Sequence, residues 1–451
     1  MRTLIHNGTI ILEQGTLQGD LLIEGGQIAR IAPRIDDDTA QVVDASGLLV
    51  FPGFIDTHTH FDLDLPALST ADDFITGSRA ALCGGTTCVL DFATQERGMT
   101  FLDALEKWHA KARGASCHYG FHMAASEWND ARRAEVAELI ARGVTSFKMY
   151  MVYDNMRVSD AEIADALRFL SARGCVLGVH CEEDTVIQQR TAELLARGET
   201  DATAHPLSRP DWVEAMGITR LIAAAKEANA PAWIVHLSTE KGLALARQAR
   251  AEGQQIYLET CPQYLCLTDD CYTQEDAARF IMSPPLRKAA DNAALLCALR
   301  DGEIDVIGTD HCSFTMAQKA TGATFAQVPN GGAGVQNRAE LLYAYGVAEG
   351  YITLNQMADL LATNAAKRFG MYPKRGVLRE GAAADITIFD PCWPHTISHS
   401  TNLHNCDNSP YEGIQVPGRA RHVFLNGEWA VRDGEVILEG RGQYIARGAG
   451  K

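Results

Sequence analysis

No two cysteines stand in a C-x-x-C arrangement, although the chain contains twelve. It therefore offers neither a thiolate metal knuckle nor a dithiol redox motif. Several of the twelve (Cys88, Cys175, Cys181, Cys297) sit within apolar runs, as small buried hydrophobes do. No apolar run is long enough to span a bilayer, and the Met1-Arg2-Thr3 start carries no signal peptide. Reduced thiols in a cytoplasm are the expectation. Basic charge is also scarce: 40 Lys+Arg against 57 Asp+Glu give a net charge of −17. That balance argues against nucleic-acid or anionic-membrane partners and for solubility. What is present is ordinary: 451 residues, 46% hydrophobic and 22% charged, a globular composition.

The texture changes twice along the chain. Residues 1–51 read as short strands with turn pairs, Asn7-Gly8 and Gly25-Gly26, that suggest hairpins. Between 52 and 374, strand-length apolar runs alternate with longer helical patterns. The runs are 54–60, 88–92, 119–123, 146–151, 176–181, 233–237, 256–260 and 306–310. Helical stretches fall between them at 129–142, 159–172 and 240–251, and Ser159-Asp160-Ala161-Glu162 is a capping box. Eight strands alternating with helices predict an α/β fold, a (β/α)8 TIM-like barrel. An open parallel sheet would satisfy the same alternation. From 375 to 435 the β texture returns, with strands at 385–390 and 420–425 and a turn at Asn426-Gly427. Neither terminal segment can bury a core alone. We expect the two to pair into one smaller β-sandwich domain beside the barrel. The tail, 436–451, is polar and Gly-rich, and is read as either flexible or docked on another subunit.

Polar residues interrupt the apolar runs at telling places. A buried barrel strand is near-continuously hydrophobic. Yet His58 and His60 stand two apart at the end of the first run, where alternate residues share a face. Lys148 interrupts the fourth, His180 closes the fifth, His236 the sixth and Asp310 the eighth. Strand C-terminal ends in barrels converge on one mouth. Each residue alone has an ordinary explanation: a satisfied core histidine, a snorkelling lysine, a helix-capping aspartate. All of them on one face point to a shared cause, a metal site, since imidazole suits zinc and its neighbours. An ammonium cannot ligate a cation. In a low-dielectric site Lys148 would lose its proton, take up CO2 and become a carbamate able to bridge two metals about 3.5–4 Å apart. A Schiff-base lysine is the competing reading. The four histidines around it favour the metal.

The same segments resemble the dihydropyrimidinase and D-hydantoinase group of cyclic amidohydrolases. The resemblance runs in order through His58-Thr59-His60, Ser146-Phe147-Lys148-Met149-Tyr150-Met151, Val179-His180-Cys181-Glu182, Ile234-Val235-His236-Leu237-Ser238, Glu259-Thr260-Cys261-Pro262-Gln263-Tyr264-Leu265, Met282-Ser283-Pro284-Pro285-Leu286-Arg287, Gly308-Thr309-Asp310-His311-Cys312 and Ser409-Pro410-Tyr411-Glu412-Gly413. It implies hydrolytic opening of a hydantoin or dihydropyrimidine ring to an N-carbamoyl amino acid. It implies two divalent ions per subunit, zinc, with His58, His60 and Asp310 on one, His180 and His236 on the other, and N6-carboxylated Lys148 bridging both. Asp310 would also shuttle the proton. Tyr153 would hydrogen-bond the substrate carbonyl, while Ser283 and Asn330 hold the amide edge of the ring. A homotetramer, or at least a dimer, is implied as well. Ser313 departs from the group, which often has proline there. The ring substituent is expected to meet 61–66 and Phe92-Ala93-Thr94. Allantoinase and dihydroorotase share the ligands but generally lack Tyr153. Dihydroorotase also needs an arginine near the first strand, where Phe61-Asp62 stands here. Non-enzymatic scaffold relatives lose ligands that this chain keeps. His205 and Cys312 are read as structural or supporting residues.

Overall fold

The computed structural model describes residues 2–449. Its centre is a sheet of eight strands in chain order. They are β1 (Phe54–Thr59), β2 (Thr86–Thr94), β3 (His118–Ala124), β4 (Ser146–Tyr150), β5 (Val176–His180), β6 (Ala232–Ile234), β7 (Ile256–Thr260) and β8 (Val306–Ile307). Every neighbouring pair is parallel. Thr59 bridges His311, just beyond β8, so the sheet closes into a barrel rather than staying open. Arg338, fully buried, stitches the seam. Its Nη1 donates to the carbonyls of Ile55 and Ile307, each at 2.8 Å, and its Nη2 to Thr86 Oγ1 at 3.1 Å. The helices at Asp130–Ala141, Asp160–Ser171 and Glu240–Ala251 lie where the pattern puts them. The capping box forms: Ser159 Oγ accepts from Glu162 N, and the Glu162 carboxylate accepts from Ser159 N. No helix of the described residues is long and apolar enough to cross a membrane.

Strand periodicity decides what points inward. In β4, Phe147 and Met149 pack toward the helices, while Tyr150 joins the barrel interior. Lys148 has the same parity as Tyr150 and is buried with it. The rule also sends Phe92 of β2, Trp233 of β6 and Glu259 of β7 inward. In β1 the register slips between Phe54 and Ile55 and again between Asp56 and Thr59. Those irregularities reset the alternation, so Ile55 lies in the interior and His58 still faces it.

Strands from both chain ends build one further sheet of nine. In it Leu49–Pro52 pairs with Arg2–Ile11 on one side and Ile386–Asp390 on the other. Ile5, Ile10, Leu21, Val50, Ile386 and Phe424 form its interior, around which the sheet curls. Gly25-Gly26 and Asn426-Gly427 turn hairpins as expected. Asn7-Gly8 does not. The strand Arg2–Ile11 runs straight through it, with a register shift between Ile5 and Gly8. Asp20 on the neighbouring strand accepts from Asn7 N at 2.8 Å, so the pair forms a bulge.

The tail, as far as residue 449, lies on this chain's own barrel; residues 450–451, which the expectation also covered, fall outside the described residues. Gly442 N donates to Ala115 O at 2.8 Å, Tyr119 N to Gln443 O at 3.0 Å and Ile445 N to Tyr119 O at 2.7 Å. Arg447 is buried against the strand starts, with Nη1 on Ser146 Oγ at 2.7 Å. Cys297 is only half-buried, and all twelve cysteines are free.

Candidate metal centre and active site

Six side chains from five strands or the turns just past them gather at the C-terminal mouth of the barrel, where His60, Lys148, His180, His236 and Asp310 line a cavity of about 430 Å3 and His58 lies buried beneath it. Around one point, His58 Nε2 and His60 Nε2 each lie 3.1 Å from Asp310 Oδ1, and Lys148 Nζ lies 3.0 Å from His58 Nε2. The edge of a tetrahedron of donors around a zinc-sized ion is about 3.3 Å, so this spacing fits a shared cation. His58, His236 and Asp310 each offer one donor within 4.8 Å of the others. Beside them, His180 packs on His236 at 4.6 Å between ring centroids. Two nitrogens there, His60 Nδ1 and His236 Nδ1, are buried without a hydrogen-bond partner.

Electrostatics suit most of the donor set; His58 is the exception, since burial and Lys148 lower it but Glu259 and Asp310 outweigh them and raise it. Burial keeps His60 neutral, pushed down to about 4, and drives His180 and His236 below the usual imidazole range as well. A neutral imidazole is the form that binds a cation. Burial also lowers the Lys148 amine to about 8, although Asp310 and Glu259 pull the other way. Around Asp310, burial alone would raise the carboxyl, but His58 and its neighbours outweigh it and hold the group ionised.

Residues that carry no role in the sequence reading hold the ligands in place. Glu259 Oε1 lies 2.5 Å from His58 Nδ1 and also accepts from His236 N, while its other oxygen takes Thr57 Oγ1 at 2.9 Å. Asp56 accepts from the backbone of His58 and of Thr309, both at 3.1 Å, so it ties the H-x-H segment to the strand end that carries Asp310. Glu182 Oε2 lies 2.7 Å from His180 Nε2, which leaves Nδ1 as the nitrogen not engaged by Glu182, and Arg209 buttresses Glu182. Partners of this kind fix the tautomer and aim of a ligating histidine. Their signal in the sequence was a carboxylate inside an apolar strand or two residues beyond a histidine.

Above the floor, Tyr153 lines the cavity with its ring 5.5 Å from that of His180. Ser283 Oγ and Asn330 Oδ1 line it too, each buried without a hydrogen bond of good geometry, Ser283 beside the Tyr153 hydroxyl. Buried polar groups rarely stay unpaired unless something else satisfies them, so both are poised for a bound molecule. Leu63, Leu65, Leu68 and Met156 supply apolar wall. Two aromatics expected there belong elsewhere. Phe61 is fully buried against Phe74 and His311, and Phe92 lies in the barrel interior, stacked on His60 at 5.0 Å. Inward parity at β2 and the close approach of Gly77 to the Phe61 ring explain why. His205 donates from Nε2 to Met282 O at 2.8 Å, and Cys312 borders the cavity. Ser313 is buried, its hydroxyl accepting from Asp72 N at 3.0 Å.

A closed (β/α)8 barrel with histidines, an aspartate and a lysine gathered at its C-terminal mouth defines the metal-dependent hydrolase class. The sequence profile of the amidohydrolase family matches residues 49–430. The chain is 39% identical to D-hydantoinase of Geobacillus stearothermophilus over 99% of its length and 97% of that protein's. It is 40% identical to D-phenylhydantoinase of Escherichia coli K12, covering 99% and 98% of the two. The crystal structure of dihydropyrimidinase from Brevibacillus agri superposes with a TM-score of 0.98 at 37% identity, covering all of both chains. L-Hydantoinase (dihydropyrimidinase) from Arthrobacter aurescens superposes at 0.89 with 28% identity, over 99% of each. This chain belongs to the amidohydrolase family, within its dihydropyrimidinase and hydantoinase group, and is a hydrolytic cyclic amidohydrolase.

Proposed function

We propose that the chain opens a hydantoin or dihydropyrimidine ring to an N-carbamoyl amino acid, using two zinc ions and a carboxylated Lys148. The observation that carries this reading is the meeting of six donor side chains beneath a cavity walled by two unpaired amide-edge partners. His58, His60 and Asp310 would hold one ion, His180 and His236 the other, and the Lys148 carbamate both. When bound, such ions lower the pKa of water toward neutrality and polarise a carbonyl oxygen.

The chain's own residues do the rest. Ser283 and Asn330 grip the amide edge of the ring and set its carbonyl over the floor. Asp310 takes a proton from the attacking water and gives it to the ring nitrogen as the C–N bond breaks. Tyr153 donates its hydroxyl to the carbonyl oxygen as negative charge builds there. Burial pushes that phenol up to about 12, so it stays a donor across the neutral range. The apolar wall takes the ring substituent.

Twelve free cysteines support a reducing cytoplasm. Leu207, Trp212 and Met216 are large apolar side chains left exposed, and Trp212 and Met216 share one helix face. They support a homotetramer or dimer. Purified chain loaded with zinc and bicarbonate should hold two ions and hydrolyse at least one of dihydrouracil, hydantoin and 5-phenylhydantoin. Two ions with no turnover on the whole panel would sink the substrate class. No ions would sink the metal reading and return the chain to the scaffold alternative.

A further inference from the structure

Lys319 closes a short helix, Met316–Lys319, in the loop after β8, and is 1% exposed. Its ammonium has no carboxylate partner among the described residues; the ionisable groups within electrostatic reach of it are Cys312, Cys406 and His205. An unpaired buried cation is costly. Here its three N–H bonds go to three backbone carbonyls: Ile281 at 2.8 Å, Pro329 at 2.9 Å and Gly331 at 2.6 Å. A protonated lysine has three donors and no acceptor, so the match is complete. Burial pushes the amine down to about 7, and only the charged form fills all three acceptors.

The choice of carbonyls is informative. Ile281 lies two residues before Ser283, and Pro329 and Gly331 flank Asn330. The two segments have one further direct link, Gly331 N to Ile281 O at 3.0 Å. His205 holds the intervening carbonyl, Met282, from the opposite direction. Ser283 Oγ and Asn330 Oδ1 are the two unpaired polar groups on this wall of the cavity. They come from segments 47 residues apart (330 − 283), which one ammonium fixes together.

We propose that Lys319 is a positioning residue for ring recognition, setting the separation of Ser283 and Asn330 so that both meet the amide edge of one substrate. This rests on the reading of Ser283 and Asn330 given above. Lys319 touches neither the metal ligands nor the substrate, so it acts on binding geometry.

The test is steady-state kinetics of zinc-loaded Lys319→Met and Lys319→Arg enzymes on hydantoin and on N-methylated hydantoin, whose amide edge is blocked. Lys319→Met should raise KM for hydantoin about tenfold with kcat within about threefold and two ions retained. The preference of the wild type for hydantoin over its N-methyl form should shrink in parallel. Lys319→Arg keeps the charge but cannot place three donors from one atom, and should fall between the two. A purely structural role would lower kcat/KM for both substrates equally or shed metal, and either result overturns the proposal. If Lys319→Met does not fold, a wild-type preference in Lys319→Arg overturns it. Ser283→Ala and Asn330→Ala separate the failures. If neither alters the preference, the reading of the site falls. If they do and the Lys319 variants do not, the role of Lys319 alone falls.

Discussion

Tyr153→Phe isolates one oxygen atom. The residue sits at φ +73, and Phe meets the same steric cost there as Tyr, so the backbone has no new reason to move. The ring keeps its neighbours, His180 at 5.5 Å and the Arg209 guanidinium at 5.9 Å. What disappears is the hydroxyl that, under the proposed function, meets the carbonyl oxygen as it gathers charge. Losing one such preorganised donor costs about 10²–10³ in kcat, or roughly 3–4 kcal/mol of barrier. KM should move little, because the donor strengthens as charge develops rather than in the bound ground state. The assay is kcat and KM for hydantoin ring opening, alongside zinc content by elemental analysis. With the phenol held at about 12, the alkaline limb of the wild-type pH profile below that pH does not come from Tyr153. An unchanged kcat, or a variant that loses its ions, would refute this assignment.

Lys148→Ala should bind less metal and lose activity, with partial recovery in millimolar acetate or formate; full activity without rescue removes the bridging carbamate. In the metal-free wild type, only the neutral amine takes up CO2. With its value lowered to about 8 by burial, about a tenth is neutral at pH 7 and most of it at pH 9. At a fixed concentration of dissolved CO2, reactivation by zinc should therefore speed up as pH rises through about 8, and a flat profile contradicts the buried-amine argument. Glu259→Gln keeps the size of the side chain but weakens its hold on His58 Nδ1, and should cost about 10–100-fold in metal affinity by chelator competition. Arg338→Met strands the Ile55 and Ile307 carbonyls at the barrel seam, and should lower stability by about 3 kcal/mol or more in urea unfolding.

Much of this was legible in the chain because two periodicities carry it. The eight inner strands follow apolar runs bounded by turns, and parity within 146–150 already sends Lys148 to the same side as Tyr150. His58 and His60 were readable for the same reason. Sequence pattern failed where long-range partners decide. Asn7-Gly8 has the composition of a hairpin turn, but Asp20 holds it as a bulge within a continuing strand. Phe61 reads as loop apolar surface, yet it fills the space beside Gly77, a contact that no local pattern encodes. Glu259, Asp56 and Arg338 act across 201, 253 and 283 residues of chain, respectively. Strand period alone cannot name those partners.

Three of the site residues share a backbone property that ties these points together. Tyr153, His236 and Asp310 all lie at positive φ, at +73, +39 and +52. The other non-glycine residues in that region are all Asn or Asp, which tolerate it. For His236 the cost is of order 1–3 kcal/mol. The β6 and β8 assignments end at Ile234 and Ile307, so His236 and Asp310 stand just past their strands. Continued extended backbone would alternate them along the wall with their neighbours. A left-handed residue instead turns each side chain inward, across the mouth. Contacts from other strands hold both turns: Glu259 takes the His236 amide, and Asp56 takes Thr309 ahead of Asp310. The Asp310 turn therefore needs the barrel closed, because β1 supplies its clamp across the seam, whereas β7, the direct neighbour of β6, holds the His236 turn. The donor set is thus a property of the completed ring of strands, and no single strand–turn segment of this chain would reproduce it.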